Sequence, residues 1–138
     1  MECITDTEFD FKNCTGSVLL KDELYLHYNA KDAFTKISNI DSLRKKTSLA
    51  SPSARGLFSA LTGYMGATGS FIFLTGGMKT TSLATVEVYS VDRDEWIQCP
   101  DLNNARNSHS SCILGDKLYV SGGCAGRLTI DSIEVASC

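Results

Sequence analysis

The sequence predicts an all-β fold made of antiparallel sheets, and two observations carry that prediction. Short runs of Val, Ile, Tyr and Phe alternate with polar residues through the second half of the chain, the period of a half-buried strand. No segment shows the apolar spacing of an amphipathic helix over three turns. With 43% hydrophobic and 21% charged side chains among 138 residues, the chain has the composition of a folded protein rather than a disordered one.

The predicted strands are each bounded by Gly, Asn or Asp. Between two of them, Gly115-Asp116 predicts a two-residue hairpin turn, because Gly tolerates the positive φ that such turns require. Upstream, Ser17 to Tyr25 repeats the pattern of Ser111 to Tyr119, although His27-Tyr28 then stands where a Gly pair is expected. The best strand candidates, in chain order, are residues 70–75, 85–91, 108–114, 117–121 and 132–136.

An uncharged stretch of 23 residues, 56–78, is long enough to span a bilayer as a helix. Six of its residues are Gly, which is unfavourable for insertion, so strands joined by a Gly-rich loop are the better interpretation. The net charge of −3 argues against nucleic acid as a partner, because nucleic-acid binding needs a basic footprint. We therefore expect neither a membrane nor a nucleic-acid partner.

The second half of the chain contains an internal repeat. The segment ending in Gly76-Gly77 (FLTGG) matches the segment ending in Gly122-Gly123 (YVSGG), 46 residues later. An Ala-Arg pair precedes each: Arg55 lies 21 residues before Gly76, and Arg106 lies 16 before Gly122. The difference of five predicts a loop insertion around residues 63–69.

This pattern resembles the kelch repeat, in which each repeat forms one four-stranded blade of a β-propeller. The resemblance rests on the Ala-Arg pair, on His109, on the Gly pairs and on a Tyr followed seven residues later by a Trp. Because the chain is three repeat lengths long, the resemblance implies an incomplete kelch-type β-propeller of about two to three antiparallel blades. The residues taken as the structural motif are Gly76, Gly77, Tyr89, Trp96, Arg106, Gly122 and Gly123.

The repeat divides the chain into four parts. Residues 1–37 are a degenerate N-terminal blade or partial blade, and 38–54 are a polar interblade loop. Residues 55–103 form one kelch repeat, and 104–138 form a truncated second one. In the predicted loop, a basic triplet, Arg44-Lys45-Lys46, precedes Thr47 and Ser48. This order is compatible with a phosphorylation site for a basophilic kinase, and a solvated loop is the simpler interpretation.

Each motif residue has a predicted structural role. The Gly pairs allow close backbone approach and positive φ. Tyr89 and Trp96 are expected in the core, with a hydroxyl or indole N–H bonded to a backbone carbonyl. Arg106 is expected to bond backbone carbonyls or an acidic turn. His109 is read as structural, because the equivalent position of the preceding repeat holds Phe58.

Nothing in the sequence predicts a catalytic residue, a metal site or a cofactor. Asp92, Asp94 and Glu95 fall together in the turn before Trp96, where we expect solvated side chains that cap their own backbone. The six cysteines contain no C-x-x-C pair, and no signal peptide precedes them. We therefore expect free, mostly buried thiols and a cytoplasmic protein.

Resemblance to kelch proteins implies a noncatalytic protein-protein interaction module that binds a partner through blade-end loops. The loops after the two Gly pairs carry Lys79 and Arg127 in a half-chain that is otherwise acidic, which predicts an acidic segment of a partner protein as the ligand. The alternatives are a divergent fragment of a propeller enzyme of the galactose-oxidase type, or a truncated kelch gene product without independent activity. Self-association, or completion by further blades, stays open. The predicted partner-binding residues are Lys79, Thr80, Arg127 and Thr129.

Overall fold

The computed structural model describes residues 14–28, 33–38, 45–50 and 60–137, and within these ranges every regular element is a β-strand. The strands form two four-stranded sheets, one three-stranded sheet and one two-stranded hairpin, all antiparallel. The predicted all-β class is thus confirmed.

The first sheet has the order β1 (Cys14–Leu20), β2 (Glu23–Tyr28), β3 (Ala33–Ser38) and β4 (Lys45–Ala50). Ser17 pairs with Leu26 in β1–β2, as Ser111 pairs with Val120 further along the chain, so the two similar sequence segments form equivalent hairpins. The turn residues Lys21 and Asp22 adopt φ values of 51° and 61° without a glycine.

Strand β4 lies inside residues 38–54, which we expected to be an interblade loop. Its backbone pairs with β3 from Lys45 to Ala50, and it is the last strand of its sheet. Edge strands often carry Lys and small polar residues, which discourage further pairing, so their composition resembles that of a loop. Residues 39–44 and 51–54 lie outside the described ranges.

The second sheet has the order β5 (Ala60–Gly66), β6 (Gly69–Thr75), β7 (Val86–Ser90) and β8 (Glu95–Cys99). Strands β5 and β6 pair along their whole length down to Gly66 opposite Gly69. The loop insertion expected around residues 63–69 is therefore wrong, because the additional residues lengthen both strands instead. No helix in the described ranges is long and apolar enough to cross a membrane.

The third sheet has the order β9 (Ser110–Leu114), β10 (Lys117–Ser121) and β13 (Ile133–Ala136). Between β10 and β13 the chain forms the small hairpin β11 (Cys124–Ala125) and β12 (Leu128–Thr129). The turn between β9 and β10 contains Gly115 at a φ of 63°, as its sequence predicts. One face of this sheet packs on the second sheet, and the other leaves Leu114, Ile133 and Val135 exposed.

The sheets pack face to face through two apolar clusters. Leu20 and Tyr25 of the first sheet meet Ile72, Leu74 and Tyr89 of the second. On its opposite face the second sheet packs Phe73 and Val88, among others, against Leu118 and Val120 of the third. Strand β5 contacts both β1 and β9, so the first strands of the three sheets are neighbours, as in the blades of a propeller.

Candidate functional site

The two Gly pairs lie on either side of one short segment, residues 106–107. Gly77 N donates a 2.9 Å hydrogen bond to Arg106 O, and a Cβ added at Gly76 would lie 2.3 Å from that same oxygen. On the other side, a Cβ at Gly123 would lie 2.5 Å from Asn107 O. With φ values of 54° and 87°, Gly76 and Gly123 also adopt the left-handed backbone that favours glycine. The pairs thus permit both the turns and the close approach of the segment 106–107 that runs between them.

Each Gly pair also anchors a small loop in the same way. Leu83 N bonds Gly77 O at 2.8 Å and closes the loop of residues 78–82, while Ile130 N bonds Gly123 O at 2.9 Å and closes the loop of residues 124–129. Inside the second loop, Cys124 pairs with Thr129. The two loops are therefore equivalent short hairpins, which we call the paired loops.

Asn107 joins the bases of the paired loops. Its Nδ2 donates to Ser82 Oγ at 2.8 Å and to Cys124 O at 3.1 Å, and its backbone exchanges two hydrogen bonds with Cys124. Asn107 as a whole is 4% exposed. The sequence offered no signal for this role, because the partners of Asn107 lie 25 residues before it and 17 residues after it in the chain.

All four predicted partner-binding residues are exposed on the paired loops. Lys79 and Thr80 lie on the first loop, and Arg127 and Thr129 lie on the second. Sequence reasoning did not single out Leu128, which is 74% exposed between Arg127 and Thr129. Neither loop contains an Asp or Glu. The paired loops therefore present two cations and one large apolar side chain.

Arg106 is fully buried and bonds both backbone and carboxylate oxygens, as expected, although the carboxylate lies in a strand. Its Nη1 donates to Gly122 O at 2.9 Å and to Ser132 O at 3.2 Å, and its Nη2 lies 2.5 Å from Glu134 Oε1. Burial acts to raise the pKa of Glu134, but the hydrogen bonds from Asn103, Asn104 and Arg106 outweigh it, so that pKa lies below its usual value. These hydrogen bonds tie β13 to residues 103–106, which lead into the third sheet.

Tyr89 and Trp96 form a cross-strand pair with ring centroids 5.3 Å apart. Tyr89 is buried and Trp96 is partly buried. The Tyr89 hydroxyl donates to the carboxylate of Asp94, so the expected bond to a backbone carbonyl is wrong for this residue. Burial, reinforced by that carboxylate, raises the pKa of Tyr89 far above its usual value.

The acidic turn has a more specific role than the solvated cap that we expected. The carboxylate of Asp92 pairs with Lys21 of the first sheet and accepts a 2.8 Å hydrogen bond from Ser70 N. The bond from Lys21, followed by that from Ser70, holds the pKa of Asp92 below its usual value. The pair with Lys21 links the turn to the first sheet, whereas the bonds to Ser70 and Tyr89 hold the turn against its own sheet.

His109 Nε2 lies 2.8 Å from Thr75 Oγ1, and this contact joins the segment before β9 to the end of β6.

Within the described residues, no group of three or more His, Cys, Asp or Glu side chains is placed to hold a metal ion. Among the four described cysteines only Cys99 is buried, and Cys112 is exposed, so the expectation of mostly buried thiols is wrong for this set.

Three face-packed antiparallel sheets with adjacent first strands define a partial β-propeller. The family model of the kelch motif matches residues 66–103 and 105–135, which together make up half of the chain. The chain belongs to the kelch-repeat family.

Curated relatives agree with that assignment. An F-box/kelch-repeat protein of Arabidopsis thaliana is 32% identical over 65 residues, which are 46% of this chain and 17% of the plant protein. Kelch-like protein 21 of Mus musculus is 48% identical over 40 residues, 29% of this chain and 7% of the mouse protein. Kelch repeat and BTB domain-containing protein 2 of cowpox virus is 28% identical over 67 residues, 48% of this chain and 12% of the viral protein. The matches thus span less than a fifth of each relative.

Proposed function

We propose that this chain is a noncatalytic protein-interaction module that binds an acidic segment of a partner protein on the paired loops. The observation that carries the proposal is the Asn107 bridge, which holds the two loops against each other at Ser82 and Cys124. Residues that are far apart in the sequence then act as one surface. Membership of the kelch-repeat family supports a protein as the partner.

The chemistry of the paired loops favours an acidic ligand. Lys79 and Arg127 are exposed, and no carboxylate on either loop neutralises them. Leu128 adds an apolar contact beside the two cations, and the hydroxyls of Thr80 and Thr129 add hydrogen-bonding groups. A peptide that combines Asp or Glu with one apolar residue would meet all three kinds of group.

Selection from a random peptide library displayed on phage tests this proposal. The wild-type protein should enrich peptides rich in Asp and Glu, and their binding should weaken as salt is raised, because exposed charges are screened. Arg127→Glu should abolish the enrichment. Arg93→Glu is the matched control, since Arg93 is also an exposed arginine but lies in the turn between β7 and β8.

Two results would count against the proposal. Enrichment of acidic peptides by the Arg127→Glu variant would show that they bind elsewhere. Enrichment of neutral or basic peptides by the wild type would show that the ligand is not acidic. The cytoplasmic location stays a prediction from the sequence, and fractionation of the source cells would test it.

A further inference from the structure

An apolar cleft of about 280 Å³ opens between the second and third sheets. It lies at the end of these sheets where the hairpins β5–β6 and β9–β10 turn, whereas the paired loops follow the opposite ends of β6 and β10. Its lining residues come from both sheets and both turns. They are Tyr64, Thr68, Phe71, Phe73, Val88, Ile97, Cys99, Ile113, Gly115, Asp116, Lys117 and Leu118.

The two hairpins that flank the cleft differ in length. When the Gly pairs are aligned, Phe71 of β6 is level with Lys117 of β10. Hairpin β9–β10 turns directly after the Leu114–Lys117 pair, whereas β5–β6 continues for two more residue pairs, to Gly66 opposite Gly69. The second sheet therefore extends past the third, and Thr68 in its turn reaches the mouth of the cleft.

Burial increases steadily from the mouth to the floor. Thr68, Asp116 and Lys117 at the mouth are exposed, whereas the floor consists of buried apolar side chains. Between them, the partly buried rings of Tyr64 and Phe71 line the wall. The buried floor residues are Phe73, Val88, Cys99 and Leu118. An apolar floor below a polar rim is the usual form of a ligand site.

The polar groups at the mouth indicate what would enter. The opposite charges of Asp116 and Lys117 leave the mouth without a net charge, and Thr68 can both donate and accept a hydrogen bond. A charged head group has no advantage there, whereas peptide amides need donors and acceptors together. Aromatic walls favour an aromatic ring, which packs on them in tilted or offset geometry.

We propose that this cleft receives one aromatic side chain, Phe or Trp, from an extended neutral segment of a partner protein. The ring lies on the floor against Phe73 and Leu118, and the backbone of the segment bonds Thr68, Asp116 and Lys117 at the mouth. This site lies at the other end of the sheets from the paired loops and does not depend on their function.

Alkylation of the cysteines provides a local readout, because Cys99 lines the cleft and Cys112 lies outside it. The probe is the peptide acetyl-Gly-Ser-Phe-Ser-Gly-amide, with Ala in place of Phe as its control. The Phe peptide should slow alkylation of Cys99 and leave Cys112 unchanged, as followed by mass spectrometry. It should bind about tenfold or more tightly than the Ala peptide, because only its ring is buried.

Adjacent residues of β9 offer a matched pair of variants. Ile113 lines the cleft, whereas Leu114 points to the other face and is 72% exposed. Ile113→Trp should fill the cleft and remove binding of the Phe peptide, and Leu114→Trp should leave it intact. Should Ile113→Trp fail to fold, protection of Cys99 in the wild-type protein still decides the matter.

Three outcomes would overturn the proposal. The first is equal protection of Cys99 by the Phe and Ala peptides. The second is undiminished binding of the Phe peptide to a folded Ile113→Trp variant. The third is protection by free indole or p-cresol without protection by the peptide, which would make the occupant a small molecule instead of a protein segment.

Discussion

Arg106 Nη2 lies 2.5 Å from Glu134 Oε1, although 28 residues separate the two in the chain. The guanidinium is fully buried and the carboxylate side chain is 10% exposed. Glu134 also accepts hydrogen bonds from the backbone amides of Asn103 and Asn104, so one carboxylate ties the segment that leads into the third sheet to the last strand of that sheet. A buried ion pair of this kind is costly to break from one side, because the remaining charge stays in the interior.

Replacing Arg106 by Met should therefore destabilise the protein strongly. We expect the free energy of unfolding to fall by about 3–5 kcal/mol, because Glu134 then keeps a buried charge without its cation. Urea unfolding followed by Trp96 fluorescence measures the change. Arg93→Met, at a side chain that is 73% exposed, is the control and should change stability by about 0.5 kcal/mol or less. Similar losses for the two variants would contradict the role assigned to Arg106.

Stability should also depend on pH through Glu134. Its folded-state pKa lies below the unfolded value of about 4.3, so the ionised carboxylate stabilises the fold above that pH. This contribution is lost as the pH falls through the lower, folded-state pKa. Wild type should thus exceed Glu134→Gln in stability near neutral pH, and the difference should shrink below about pH 4. A difference that stays constant across this range in urea titrations would refute the assignment.

Alanine substitutions at two glycines should separate backbone strain from close packing. Gly126 has a φ of 63° with open space around an added Cβ, so Gly126→Ala should cost only about 1 kcal/mol. At Gly123, with a φ of 87°, the added Cβ would lie 2.5 Å from Asn107 O and 2.8 Å from His109 Cβ. We expect Gly123→Ala to cost about 2–4 kcal/mol in thermal or urea unfolding. Equal costs would mean that the backbone relaxes freely at Gly123.

Asn107→Ala should loosen the paired loops from each other. The free energy of unfolding should fall by about 0.5–1.5 kcal/mol, because Ser82 Oγ loses its donor and Cys124 O keeps only the backbone bond from Asn107 N. Selection of acidic peptides should weaken as well, although Asn107 itself is buried. Asn103→Ala is the control, since Asn103 is exposed and its bond to Glu134 uses the backbone. Unchanged stability and peptide selection in Asn107→Ala would show that the bridge does not hold the loops.

The strands and hairpin turns of this chain were largely predictable. Alternation of apolar and polar residues located β6, β7, β9, β10 and β13 to within about two residues, as local backbone preferences allow. Two errors have physical causes. Strand β4 has the polar, Lys-containing composition of an edge strand, and four of the five residues assigned to a loop insertion lengthen the strands of the β5–β6 hairpin instead.

The repeat, the glycine pairs and the cations of the paired loops were readable from the amino-acid order, because they follow from spacing and from the conformations open to single residues. Which groups meet became visible only in the folded chain: Asn107 with Ser82, Tyr89 with Asp94, and the side chains around the cleft. Such contacts depend on how two sheets pack face to face and on how far each hairpin extends. Neither quantity is set by a local pattern, since side chains of different sheets come into contact only after the sheets have assembled.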